Sequence, residues 1–145
     1  MQPFTGFRLC LLCQSADESH DHIFFFCTFT NPIWRFLQSK CRLHVVPNSW
    51  VDFINWVSHQ WRGRNLENLI NKLVLSTTVN QIWMERNERA FTNQRKSQNR
   101  VLNRSMELVK WRLLSISVKD SPSARRIVLD WDLPQSFIKP PPELD

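Results

Sequence analysis

Between residues 31 and 131 the apolar positions recur at three- and four-residue intervals, the spacing that gathers side chains on one face of a helix. In "NPIWRFLQSKC" Ile33, Trp34, Leu37 and Cys41 share such a face, Asn31 is placed to cap, and Pro32 suits the first helical position. The pattern predicts a helix over about 32–42. A second helix follows from Ser49, with Asp52 three residues on, apolar positions at Trp50, Ile54, Val57 and Trp61, and Gly63 as the stop. Asn65 then caps a long periodic run through Leu66, Leu69, Ile70, Leu73, Val74, Val79, Ile82 and Trp83 to Ala90 and Phe91, with a possible bend at Ser76-Thr77-Thr78. Ser97 opens a fourth helix whose stripe is Leu102, Met106, Val109, Leu113 and Ile116. "SARRIVLDW" predicts one further short helix, and the Pro-rich end "SFIKPPPELD" reads as an extended tail.

No strand-like alternation and no internal repeat interrupts this series. The fold class is mainly α: a small head resembling a zinc knuckle, residues 1–30, then a helical bundle or long helical hairpin over 31–130, then the tail, 131–145. Only two glycines occur in 145 residues, in keeping with few sharp turns, while seven Trp and ten Phe provide ample material for a core.

The head departs from the helical pattern. "CLLCQSADESHDHIFFFC", residues 10–27, holds three of the four cysteines and two of the four histidines. No stretch approaches the length of an apolar membrane span, and the first dozen residues lack the charged start and apolar run of a signal peptide, so an intracellular chain is expected. There, disulfides do not persist and clustered cysteines read first as metal ligands. Cys10, Cys13, His22 and Cys27 give C-x2-C-x8-H-x4-C, three thiolates and one imidazole, a full tetrahedral set for one structural zinc ion. His20 is the alternative fourth ligand; His22 is preferred because the apolar "IFFF" after it can return Cys27 to its side. With every position filled by protein, such an ion acts structurally and not as a Lewis acid. A short head with a polar loop buries too little apolar surface to order itself, and structural zinc binds small peptides with roughly 10–16 kcal/mol. Cys41 lies on an apolar helix stripe and reads as core filler.

The head motif, the following "PIW" at Trp34, and the distant "QIWMERNERAF" together resemble the zinc-binding domain of reverse transcriptases from plant LINE-type, non-LTR retrotransposons. The family pattern C-x2-C, an acidic loop, H-L-F-x-x-C and a Trp-bearing helix matches Cys10, Cys13, His22, Cys27 and Trp34. Its I-W-x-x-R-N-x-x-x-F pattern matches Ile82, Trp83, Arg86, Asn87 and Phe91. The resemblance covers about residues 8–134, including the closing "VLDWDLP". It implies a retrotransposon-derived module that handles nucleic acid, and a further helical segment ahead of this chain, whose absence would leave apolar surface for a protein partner. Polymerase chemistry needs clustered aspartates, which these scattered acids do not provide, so no enzyme activity is expected.

Charge narrows where nucleic acid would bind. The chain carries a formal charge of +6 and an isoelectric point near 9.6. The head is acidic, with Asp17, Glu18 and Asp21 against Arg8, which disfavours phosphate there. Residues 86–112 hold eight cations against Glu88 and Glu107, a surplus equal to the charge of the whole chain. Arg95, Lys96, Arg100 and Arg104 are the expected RNA or DNA contacts. Arg86 and Asn87, beside the stripe of Trp83 and Phe91, are expected to be structural, the guanidinium stacked on Trp or the amide closing a buried backbone gap. Neither a membrane nor a small-molecule substrate is expected as a partner.

Overall fold

The computed structural model describes residues 8–143. Five α-helices follow the head: α1 (Asn31–Lys40), α2 (Trp50–Gln60), α3 (Leu66–Phe91), α4 (Gln98–Leu114) and α5 (Pro122–Trp131). No strand occurs among the described residues, and none of their helices is long and apolar enough to cross a membrane. The fold is mainly helical, as the periodicity predicts. Helices α3 and α4 form a long antiparallel hairpin, α1 packs on both, and α5 closes on α3.

Polar side chains at the helix starts fix these bounds. Asn65, Ser97 and Ser121 each accept a hydrogen bond from the backbone N–H three residues on, satisfying an otherwise orphaned donor. Asn31 does not cap: it is already helical, and Thr30 before it turns its hydroxyl to the carbonyl of Ile23. At α2 the expected cap, Ser49, makes no side-chain bond; Asp21, reaching from the head, accepts from the N–H of Trp50 at 2.7 Å. Three helices are followed by a non-glycine residue with positive φ, Arg42 after α1, Asn93 after α3 and Asp132 after α5, which is how the chain turns with so few glycines. Helix α3 runs unbroken through Ser76-Thr77-Thr78, whose buried Thr78 hydroxyl bonds the Val74 carbonyl within its own helix.

Several apolar positions face away from the core. Ile54, Leu69, Phe91 and Ile116, expected on buried stripes, are exposed, as is Ala90. In α2 the inward position belongs to Phe53, and in α3 the inward series is Ile70, Val74, Thr78, Ile82, Glu85, Arg86 and Arg89. The inner face of α3 thus turns from apolar to charged over its last two turns.

The core is continuous from head to tail. Phe24 is fully buried and stacks on Trp50 at 4.1 Å while meeting Trp34 edge-on at 5.7 Å; Phe25 packs on Trp34 and Phe53. The tail also differs from expectation. Gln135–Phe137 form a 3-10 turn that buries Phe137 completely, and Ile138 pairs with Val118 in a parallel bridge through bonds of 2.8 and 2.7 Å. One apolar side chain at the right reach is enough to tie down the start of a Pro-rich segment; residues 139–143 beyond it are exposed.

Candidate metal centre

The first two cysteines stand on a tight turn. The Gln14 N–H donates to the Cys10 carbonyl and the Cys10 N–H to the Ala16 carbonyl, both at 2.8 Å, Gln14 adopts φ 56°, and Leu9 bridges antiparallel to Asp17. The other pair is set by a single π-helical turn, His22–Phe26, in which the Cys27 N–H donates to the His22 carbonyl at 2.7 Å. This wider turn, a form that recurs at functional sites, brings Cys27 back to His22. Ile23 and Phe24 inside it anchor the turn in the core.

The donors of Cys10, Cys13, His22 and Cys27 all lie within 4.8 Å of one another. Cys13 Sγ is 3.2 Å from His22 Nε2, and Cys10 Sγ is 3.9 Å from Cys27 Sγ. Ligands at zinc–sulfur distance on a tetrahedron stand about 3.8 Å apart, so the set fits one small ion. All four cysteines are free thiols, and the 3.9 Å separation is far beyond a disulfide bond. His20 is outside the cluster, exposed, with its ring against Phe24 and edge-on to Trp83 at 5.9 Å. Cys41 is buried away from the site, and burial pushes its thiol up to about 12.

Backbone donors favour thiolate at both buried sulfurs: N–H groups of Leu12 and Cys13 point at Cys10, and those of Phe29 and Thr30 at Cys27. Without metal, the two sulfurs are within hydrogen-bond reach of each other, and that contact lowers the Cys27 thiol below the usual range while, with burial, it raises that of Cys10.

The head is clamped by α3. Arg86 donates twice to Glu18 Oε1, at 3.0 and 2.6 Å, and the Leu11 N–H reaches Glu18 Oε2 at 3.3 Å. Arg89 donates to the carbonyls of Leu11 and Leu12, at 3.1 and 2.9 Å, inside the cysteine turn itself. Its other nitrogens hold Glu85 Oε1 at 2.8 Å and the Lys96 carbonyl at 3.1 Å, and it lies over the Phe29 ring at 4.4 Å. Glu85, 1% exposed, also accepts from the Lys96 N–H at 2.8 Å. A buried ion pair therefore links the cysteine turn to the α3–α4 connection.

The Arg86 guanidinium carbon lies 5.8 Å from the Trp83 ring centre, within cation–π reach, and Asn87 accepts from Arg86 at 3.2 Å, with no side-chain bond to backbone among the described residues. Phe91 makes no part of this clamp and is exposed. Sequence reasoning missed Glu18, Glu85 and Arg89; the signal was the Glu-x-x-x-Arg spacing of Glu85 and Arg89 on the face of Ile82. The acidity of the head is also less than its composition suggests, since Glu18 is paired and Asp21 caps α2.

Of the expected nucleic-acid residues, Lys96, Arg100 and Arg104 line one groove of about 720 Å³ between α3 and α4. Arg95 stands apart, its guanidinium beside the Gln14 side-chain amide. Comparison with protein-family models, curated proteins and solved structures gave no match.

Proposed function

We propose that this chain is a zinc-stabilised, non-catalytic module of the kind found in non-LTR retrotransposon reverse transcriptases, and that its basic helices contact nucleic acid. The observation that carries the reading is the meeting of the two motifs on which the resemblance rests. "IWMERNER" supplies Arg86 to Glu18 and, through Arg89, two hydrogen bonds to the carbonyls between Cys10 and Cys13. Residues some seventy positions apart in sequence act on one small turn.

Cys10, Cys13, His22 and Cys27 would hold the ion, and its chemistry would be to cross-link the head. Three sulfurs and one imidazole favour zinc over hard cations such as magnesium or calcium, which take oxygen ligands. A set complete in protein donors leaves no position for substrate, which supports the non-catalytic reading.

For nucleic acid, Arg86 and Arg89 are spent on the head, and the remaining cations of residues 86–112 are on the surface or half-buried. Metal analysis of purified protein, with oligonucleotide binding measured across a salt series, tests both parts. One zinc per chain and binding that weakens steeply with salt are expected. A folded chain with no stoichiometric metal would refute the first part, and the absence of oligonucleotide binding at low salt the second. A protein-docking role is the second reading, favoured by Leu9 and Phe26, exposed beside the ligands Cys10 and Cys27. Apolar association of that kind would be insensitive to salt.

A further inference from the structure

Helix α4 carries a feature that the charge map does not explain. Trp111 is 57% exposed, whereas the other six tryptophans are buried or half-buried. An exposed ring of this size offers a large flat face on which a ligand can stack. The guanidinium of Arg104 lies over this ring, 5.1 Å from its centre. Arg100, Arg104 and Trp111 are separated by four and seven residues, which at 100° per residue keeps them within a narrow arc of one helix face.

Distances along the axis are suggestive too. Arg100 and Arg104 are about 6 Å apart in helix rise, and Trp111 lies about 16 Å from Arg100. That is close to the step between successive phosphates of one strand and to a run of three nucleotides. The α3–α4 groove also holds Lys96 and the side-chain amides of Asn99 and, from α3, Gln81, which can bond base edges. Arg100 makes no ion pair among the described residues. Arg104 is 3.5 Å from Glu107 across an exposed pair, and Lys96 is paired with Glu88 and lies 3.8 Å from Glu85.

We infer that α4 is a platform for single-stranded nucleic acid: Arg100 and Arg104 hold successive phosphates, and Trp111 stacks a base. Cations that track a backbone beside an exposed aromatic ring are the two elements by which proteins take single strands. A duplex offers no free base face to Trp111. Glu107 opposes the phosphates, so it limits affinity. The inference rests on the nucleic-acid reading above and adds the strand type and the stacking residue.

The test measures anisotropy of labelled twelve-nucleotide oligouridine and of a twelve-base-pair RNA duplex with the metal-loaded full chain. The single strand should bind more tightly than the duplex. Trp111→Ala should weaken single-strand binding roughly five-fold or more, with Trp111→Phe retaining most of it. Arg100→Gln with Arg104→Gln should lower the slope of log affinity against log salt by about 1.4. Glu107→Gln should tighten binding, a gain that misfolding cannot imitate. Equal binding of both probes with Trp111→Ala unchanged would overturn the platform and leave nucleic-acid binding in place. Failure of both probes to bind at low salt would overturn both. A Trp111→Ala loss that Phe does not restore would overturn stacking as the cause.

Discussion

Replacing Arg89 with alanine isolates the clamp between the helical hairpin and the cysteine turn. The wild-type side chain is 6% exposed and bonds to Glu85, to the carbonyls of Leu11 and Leu12, and to that of Lys96. Its removal leaves Glu85, 1% exposed, with the Lys96 N–H and a lysine ammonium 3.8 Å away as its remaining charge-stabilising contacts. Breaking one side of a buried pair costs about 3–5 kcal/mol, most of it from the charge left behind. Glu85→Gln with Arg89→Ala should therefore be less destabilised than Arg89→Ala alone, because the stranded charge is gone. Urea unfolding of the metal-loaded chain, read by far-ultraviolet circular dichroism, measures each variant, with Arg100→Ala as an exposed control expected within about 0.5 kcal/mol of wild type. Zinc affinity measured by chelator competition should fall with Arg89→Ala, since the turn loses the bonds that hold two of its carbonyls. An Arg89→Ala cost under about 1 kcal/mol, or unchanged zinc affinity, would refute the clamp.

Four further outcomes are expected. Cys10→Ser, Cys13→Ser and His22→Ala should each abolish stoichiometric zinc, whereas His20→Ala should not, as read by metal analysis of the purified variants. In metal-free protein the lowered thiol of Cys27 means that the unfolded chain binds more protons just below the ordinary thiol range, so stability should rise with pH there; above that range the raised Cys10 thiol reverses the slope. Thiolate absorbance near 240 nm should show one step below the ordinary thiol range, and that step should be lost in Cys27→Ser. Asp21→Ala removes the α2 cap and should cost about 1 kcal/mol in urea unfolding. Phe137→Ala should cost about 3–5 kcal/mol, which a free tail would not.

How the head is held separates what one stretch of chain can specify from what it cannot. Spacing identifies the three sulfur donors, because two cysteines two residues apart share one turn whatever surrounds them. It did not disclose that Ile23 and Phe24 bury the π-helical turn in an aromatic core with Trp34 and Trp50, so packing also holds the head. The choice of His22 over His20 shows the same division. Both lie in the same loop, and the π-helical turn decided which imidazole faces the sulfurs.

Helix positions and most caps were legible because periodicity and capping are local: a residue three or four positions away is a neighbour in any helix. Asn65 and Ser97 cap where the sequence put them. Which face turns inward at a helix end is not local. Phe91 looks like core and is exposed, while Glu85 and Arg89 look like surface and are buried, since Arg89 donates to backbone carbonyls more than seventy residues earlier and Glu85 accepts from Arg89 and the Lys96 N–H. Ser49 lost its capping role to Asp21 for a similar reason. Local pattern was enough for the helices, the three clustered cysteines and the seat of the positive charge. Which charges hold the head and which stay at the surface depends on the packing of distant segments, because a buried charge is tolerated only where distant atoms converge to pair it.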